Sequence, residues 1–141
     1  MRNEIRNIRD VWLEGYRRLL QQAQAEGRIV PSADPHERRR HPRFLVQTAD
    51  VSTPREHPLA VCDLSWCGVA FDSDQEYFPQ RPLTLELAGV FSTEAEVLAC
   101  DRRPEAGANP HRYRVRCRFR DEAHGLQFLT LALELHEIER D

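Results

Sequence analysis

Two different periods of hydrophobic residues divide this chain. Over residues 3–24, apolar side chains recur three and four positions apart, which places them on one face of an α-helix. These positions are Ile5, Ile8, Trp12, Tyr16, Leu19 and Ala23. Gly27 follows and is suited to ending the helix. The pattern predicts an amphipathic N-terminal helix, whose apolar face must be covered by the rest of the chain, by a second copy or by another protein.

From Phe44 onwards the period falls to two, which is typical of half-buried β-strands. Strands are predicted at residues 44–48, 59–62, 69–71, 83–87, 97–100 and 112–120, with a turn at 52–58 and a hairpin loop at 104–110. In the last strand apolar residues alternate with arginines, so one face should enter the core and the arginine face should meet solvent or an anion. Several short strands at this spacing predict a closed all-β barrel or a sandwich.

A second helical pattern ends the chain, over about residues 126–140. Its apolar stripe consists of Phe128, Leu131, Leu135 and Ile138, broadened by Leu129 and Leu133. Residues 28–37 contain two prolines and predict a connector. We therefore divide the chain into an N-terminal helical extension (1–27), the connector (28–37) and a β-barrel domain with a C-terminal helix (38–141). A chain of 141 residues has room for one core and an extension.

Composition narrows the range of functions. The net charge of −3 gives no general attraction to nucleic acid or to an anionic membrane, so an anion site must come from local clustering. All 20 basic residues are arginines, whose planar donor fork suits phosphates and base edges. No apolar run is long enough to span a membrane and the N-terminus is unlike a signal peptide, which predicts a cytoplasmic protein without membrane insertion. The cysteines lack metal-ligand spacing and the histidines lack catalytic spacing, so we expect no metal site, no cofactor and no enzyme.

Four arginines cluster just before the first predicted strand: Arg38, Arg39, Arg40 and Arg43. Arg39 and Arg43 have the spacing R-x-x-x-R, which recurs elsewhere in so arginine-rich a chain. Here Pro42 lies between them; it cannot continue a helix, and it favours extended backbone at the residue before it. The two arginines therefore project from a curved, extended segment and are candidates for wrapping an anionic ligand from two sides.

A short polar segment joins the second and third predicted strands. Residues 63–68 have the sequence Asp-Leu-Ser-Trp-Cys-Gly, a D-x-S-x-x-G segment that we call the elbow. Asp63 and Ser65 are two residues apart, so an extended backbone points both side chains the same way. Gly68 suits a close backbone approach or a positive φ. The elbow alone is also typical of a Ser or Asx turn in a hairpin; its position after the arginine cluster distinguishes it.

Together, the segments ERRRHPRF, VCDLSWCGVAF and RYRVRCRF resemble the PilZ domain family over about residues 36–120. The resemblance implies a mainly β fold, a six-stranded antiparallel β-barrel, here with an N-terminal and a C-terminal helix. It also implies a bacterial receptor for the second messenger cyclic di-GMP. The family's ligand-binding positions correspond to Arg39, Arg43, Asp63, Ser65 and Gly68.

Cyclic di-GMP carries two phosphodiester charges and two guanines, and these residue types suit both. Arginine donates to phosphate oxygens or to O6 and N7 of guanine. The Asp63 carboxylate can accept from guanine N1–H and the exocyclic amine, and Ser65 can bond a phosphate oxygen or a base nitrogen. By the resemblance, the residue at Arg38 influences whether one ligand or a stacked pair binds; an arginine can face a second guanine, so a stacked pair is the hypothesis here. Arg40 is a further candidate contact. The family often has glycine where this chain has Arg116, which would either crowd the site or supply another cation.

Other functions remain open. A PilZ-like domain without its ligand would be a docking module. A nucleic-acid-binding barrel would use the arginine cluster and the arginine face of the last strand, although the net negative charge and the few candidate stacking aromatics argue against it. In a receptor, the connector would wrap the ligand and reorient the N-terminal helix. The partner would then be an unidentified effector protein of motility, biofilm or exopolysaccharide output, and the helix could also form a homodimer.

Overall fold

The computed structural model of the protein describes residues 8–29, 42–45, 50–56, 58–103 and 112–140. Its elements are α1 (Ile8–Ala25), β1 (Val51–Ser52), β2 (Ala60–Leu64), β3 (Gly68–Ser73), β4 (Pro82–Leu87), β5 (Phe91–Arg102), β6 (Tyr113–Phe119) and α2 (Glu122–Arg140). The predicted strand at 44–48 is described only as far as Leu45, and Phe44 forms isolated β-bridges. The predicted hairpin loop at 104–110 lies outside the described residues.

The six strands form one sheet in the order β1-β4-β5-β6-β3-β2, and every neighbouring pair is antiparallel. The two edge strands approach each other, because the N–H of Leu59, just before β2, donates to the carbonyl of Val51 in β1 at 2.8 Å. The sheet thus curls into a nearly closed barrel, which confirms the predicted fold class. Alternate residues of β4 are buried in the core: Leu83, Leu85 and Leu87.

Strand β5 has 12 residues and is much longer than the strand predicted at 97–100. Its first half buries Thr93 and Ala95, a polar and a small residue, so the hydrophobic alternation is weak there. The register then shifts between Val97 and Ala99, and Leu98 at this bulge is half exposed. The two-residue strand β1 overlaps the predicted turn at 52–58, because two residues are too few to show a period.

The helices pack against each other, and α2 also packs against β5 and β6. They come close at Gly15, where a Cβ would lie 3.5 Å from Thr130 Cγ2. Tyr16, Leu19 and Ala23 of α1 are buried and Trp12 is partly buried, so the C-terminal part of its apolar face is covered by the rest of the chain. Residues 3–7 of the predicted helix lie outside the described residues. Within the described ranges, no helix combines the length and the apolar character of a membrane span.

Local signals mark the helix ends. Gly27 has a φ of 70°, and the N–H of Arg28 donates to the carbonyl of Ala23 at 2.8 Å, which confirms the predicted stop. Helix α2 begins earlier than predicted because Asp121 caps it. The Oδ1 atom of Asp121 accepts the N–H of His124 at 3.0 Å, and this hydrogen bond lowers the pKa of Asp121.

Candidate functional site

The elbow lies between β2 and β3 and is held in shape by Ser65. The Oγ atom of Ser65 accepts the N–H groups of Cys67 and Gly68, each at 3.2 Å, and the Ser65 N–H donates to the Gly68 carbonyl at 2.8 Å. Ser65 is 9% exposed. Its hydroxyl oxygen therefore already stabilises the turn, a role that serine often has in such segments. Its contact with a ligand stays a prediction.

Gly68 lets β3 approach β6 closely. A Cβ at this position would lie 1.9 Å from the carbonyl oxygen of Cys117, so no side chain fits there. Among the described glycines, positive φ occurs at Gly27 and Gly89 and not at Gly68. Of the two reasons that the sequence offers for glycine here, the structure shows the close approach.

Arg43 lies beside the elbow. The N–H of Phe44 donates to the carbonyl of Leu64 at 2.7 Å, and the N–H of Leu64 donates back to Phe44 at 3.0 Å. In this antiparallel bridge, the preceding residue, Arg43, runs alongside Ser65. The structure thus joins the end of the arginine cluster to the elbow. The other three members of the cluster lie outside the described residues: Arg38, Arg39 and Arg40.

Trp66 connects the elbow to both helices. Its Nε1–H donates to the carbonyl of Glu122 at the start of α2, at 2.9 Å. Its ring meets Tyr16 of α1 edge to face, with centroids 5.4 Å apart, and Tyr16 also meets the ring of Phe44 at 6.0 Å. A Cβ on Gly125 of α2 would lie 2.6 Å from the Trp66 carbonyl oxygen. The sequence pattern did not single out Trp66, although a large aromatic residue inside a polar turn is a signal of such packing.

Asp63 and Arg116 lie in one row across the outer surface of the barrel. Asp63 of β2 pairs with Ala70 of β3, which in turn pairs with Arg116 of β6. Beyond it, Arg116 pairs with Ala99 of β5. Strands are about 4.8 Å apart, so the Cα atoms of Asp63 and Arg116 are separated by about 10 Å, with only a methyl side chain between them. Arg116 is exposed, and no carboxylate of the described residues forms an ion pair with it.

Asp72 holds two other arginines of this surface. Its carboxylate accepts hydrogen bonds from Arg103, just after β5, and from Arg114 of β6. Burial raises the pKa of Asp72, but the hydrogen bond and charge of Arg114 outweigh burial and bring that pKa below its ordinary value. Burial also raises the pKa of the nearby Cys62 to about 11. Part of the arginine face therefore meets a carboxylate of the protein itself.

A cavity of about 350 Å³ adjoins the elbow. Its lining residues are Trp66, Cys67, Glu96, Arg118, Phe119, Arg120 and Glu122. The Nη2 atom of Arg118 lies 3.5 Å from Oε1 of Glu96. Of the described site residues, neither Asp63 nor Arg43 lines this cavity, so it adjoins the predicted site and does not coincide with it.

The six antiparallel strands form a nearly closed barrel with the fold of PilZ domains. The chain is similar to the PilZ domain with cyclic di-GMP of YcgR from Escherichia coli, with a TM-score of 0.51 and 16% identity over 74% of this chain and 97% of that chain. This similarity confirms the predicted fold. A tetrameric PilZ domain from Xanthomonas campestris, self-assembled through a helical bundle, has a TM-score of 0.39 and 18% identity over 92% of this chain and 79% of that chain. No protein-family model matches the sequence, and no curated protein sequence matches it.

Proposed function

We propose that the protein is a receptor for cyclic di-GMP, with a binding role and not a catalytic one. The observation that carries this proposal is the bridge between Phe44 and Leu64, which brings Arg43 next to the elbow. Two segments that lie about 20 residues apart in the sequence thereby form one surface. A barrel of the PilZ type supports the proposal because it provides the outer face on which such a ligand would lie.

The charges of this surface suit a guanine dinucleotide. Asp63 offers a carboxylate to the N1–H and exocyclic amine of one guanine, an edge that adenine does not have. Arg43 and Arg116 offer guanidinium groups to the phosphates or to guanine O6 and N7. The one side chain between Asp63 and Arg116 in this row is the methyl group of Ala70. Arg38, Arg39 and Arg40 would complete the arginine cluster around the ligand, and Arg38 would favour a stacked pair.

Binding would be transmitted to α1 through Tyr16. This residue contacts Phe44, next to Arg43, and Trp66, inside the elbow. A ligand that draws the connector and the elbow together would therefore change the packing of α1 directly. The receptor would act in the cytoplasm on an unidentified effector protein, which would respond to the position of α1.

Isothermal titration calorimetry with cyclic di-GMP, cyclic di-AMP and GTP tests the ligand. We expect cyclic di-GMP to bind and the other two to bind at least tenfold more weakly. Charged hydrogen bonds contribute about 1.5–3 kcal/mol, so Arg43→Ala should weaken binding by about tenfold or more. Arg17→Ala, at an exposed position of α1, is the matched control and should leave the affinity unchanged. Unchanged affinity of a folded Arg43→Ala variant would refute the site.

A negative result with cyclic di-GMP would also discriminate between the alternatives. Binding of random oligonucleotides that weakens steeply with salt would favour a nucleic-acid-binding barrel. Failure to bind either kind of ligand would favour a docking module. Hydrogen exchange tests the transmission step: we expect slower exchange in residues 1–43 with cyclic di-GMP, and identical exchange would contradict the proposed movement of α1.

A further inference from the structure

We propose that the cavity beside the elbow is a second base-binding subsite, in which Glu96 and Arg118 recognise a guanine other than the one facing Asp63. This inference rests on the proposed function and extends it. The cavity begins at two elbow residues, Trp66 and Cys67, and so continues from the proposed ligand surface. Its volume of about 350 Å³ lies within the range of small-molecule sites.

Strand pairing puts this subsite in the row next to that of Arg116 on the outer face of β6. Glu96 of β5 pairs with Arg118 of β6, which pairs with Gly68 of β3. This row is the neighbour of the row that contains Asp63 and Arg116. Because the sheet curls into a nearly closed barrel, β2 and β5 do not share one flat face, and the cavity reaches the elbow through Trp66 and Cys67. Arg116 and Arg118 lie on β6, between the elbow strand β3 and the strand of Glu96.

The pair of Glu96 and Arg118 is complementary to guanine in its hydrogen bonds. The Watson–Crick edge of guanine presents one acceptor, O6, and two donors, N1–H and the exocyclic amine. A guanidinium that turns one of its N–H groups towards the base, beside a carboxylate, can present one donor and two acceptors along one edge. With 3.5 Å between Arg118 Nη2 and Glu96 Oε1, the two groups already stand side by side. Adenine has an amino donor at the position of O6 and an acceptor at N1, so it would oppose this pair.

The surroundings leave the pair accessible. The side chain of Arg118 is 60% exposed. Its pairing partner on β3 is Gly68, which has no side chain that could cover the guanidinium. The largely buried rings of Trp66 and Phe119 form part of the wall, where a base would find apolar contact. The site thus combines hydrogen-bonding groups, on Glu96 and Arg118, with apolar surface from Trp66 and Phe119 against which a base can pack.

A hybrid ligand tests the subsite. Cyclic GMP-AMP has one guanine, which can face Asp63 only if adenine takes the cavity. We expect the wild-type protein to bind cyclic GMP-AMP at least about tenfold more weakly than cyclic di-GMP, because adenine leaves the hydrogen bonds of the pair unmade. In Glu96→Ala this discrimination should fall to within about twofold, while affinity for cyclic di-GMP decreases.

Glu94→Ala is the matched control. Glu94 lies two residues earlier on β5, is exposed and accepts a hydrogen bond from Thr84, but it does not line the cavity. It should leave the discrimination between the two ligands unchanged. Melting temperatures of both variants establish that they are folded. If wild type binds both ligands equally, or if Glu96→Ala keeps the wild-type discrimination, the subsite is overturned while the receptor function stands. If wild type binds neither ligand, the receptor function itself fails.

Discussion

The ring of Tyr16 in α1 meets the indole of Trp66 in the elbow edge to face, with 5.4 Å between their centroids. Tyr16 is 6% exposed, and its hydroxyl has no hydrogen-bond partner among the described residues. Burial, together with the nearby Cys67, raises the pKa of Tyr16 to about 12. The residue therefore contributes an aromatic contact between helix and elbow, while its hydroxyl carries a desolvation cost without a compensating bond.

We expect Tyr16→Phe to keep or improve stability, by up to about 1 kcal/mol, because it removes an unsatisfied buried hydroxyl and retains the ring. Tyr16→Ala should instead lose about 3–5 kcal/mol, as other aromatic truncations in cores do. Urea unfolding of the three proteins measures both effects. A loss of more than about 1 kcal/mol in Tyr16→Phe would mean that the hydroxyl has a partner in solution.

Two glycine substitutions should have effects of opposite sign. Gly68→Ala places a Cβ against the Cys117 carbonyl, a clash with backbone that cannot move aside cheaply, and should cost about 3 kcal/mol or more. Gly15 lies inside α1, and a Cβ there would make an ordinary contact with Thr130. The higher helix propensity of alanine should therefore raise the stability of the Gly15→Ala variant by about 1 kcal/mol. Thermal unfolding compares the two variants with wild type. A stable Gly68→Ala would contradict the close approach of β3 and β6.

Asp72 should make stability depend on pH. The pKa of its carboxyl is lowered in the folded protein. Its contribution to the free energy of unfolding is therefore fully present above the ordinary pKa near 3.8 and is lost as the pH falls through the lowered pKa. Asp72→Asn removes the charged partner of Arg103 and Arg114 and should cost about 1.5–3 kcal/mol at pH 7. The difference from wild type should shrink below about pH 4. Denaturant unfolding at pH 7 and pH 3 checks this, and a difference independent of pH would contradict it.

Cys67 should report on the cavity. It is exposed and lines the cavity, whereas burial raises the pKa of Cys117 to about 12 and that of Cys62 to about 11. N-ethylmaleimide at pH 8 should therefore modify Cys67 first, and saturating cyclic di-GMP should slow this reaction at least about tenfold by covering the thiol. Peptide mass spectrometry identifies the modified residue. Cyclic di-AMP is the control ligand, and equal modification rates with and without cyclic di-GMP would contradict occupation of the cavity.

Much of the fold could be predicted from local patterns. The strand β6 and both helices follow from periods of 2 and 3.6, because each depends only on which residues face the core. The limits of β5 did not follow, since Thr93 and Ala95 are buried without being large and apolar, and the bulge at Leu98 breaks the alternation. The capping role of Asp121 was present in the sequence, but it became clear only with the hydrogen bond to His124.

The candidate site was less predictable. Asp63 and Arg43 were singled out by their motifs, and the structure brings their segments together. The Ser65 hydroxyl is engaged in the turn, which the sequence offered as its other reading, and its contact with a ligand stays a prediction. Trp66 and Glu96 were not singled out by any motif, since Trp66 occupies an unspecified position of the elbow and Glu96 lies outside every motif. Their positions depend on contacts with residues far away in the sequence, which no local period records.

The sequence by itself determined the kinds of elements, the turn chemistry of the elbow and the candidate arginines, since these depend on neighbouring residues. Only the tertiary structure decided which of these groups meet. It paired Phe44 with Leu64, placed Tyr16 against Trp66 and set Glu96 beside Arg118. The physical reason is that strand register and helix packing are chosen by burial of the whole core, so the neighbours of a surface charge are decided by residues on the opposite face of its strand.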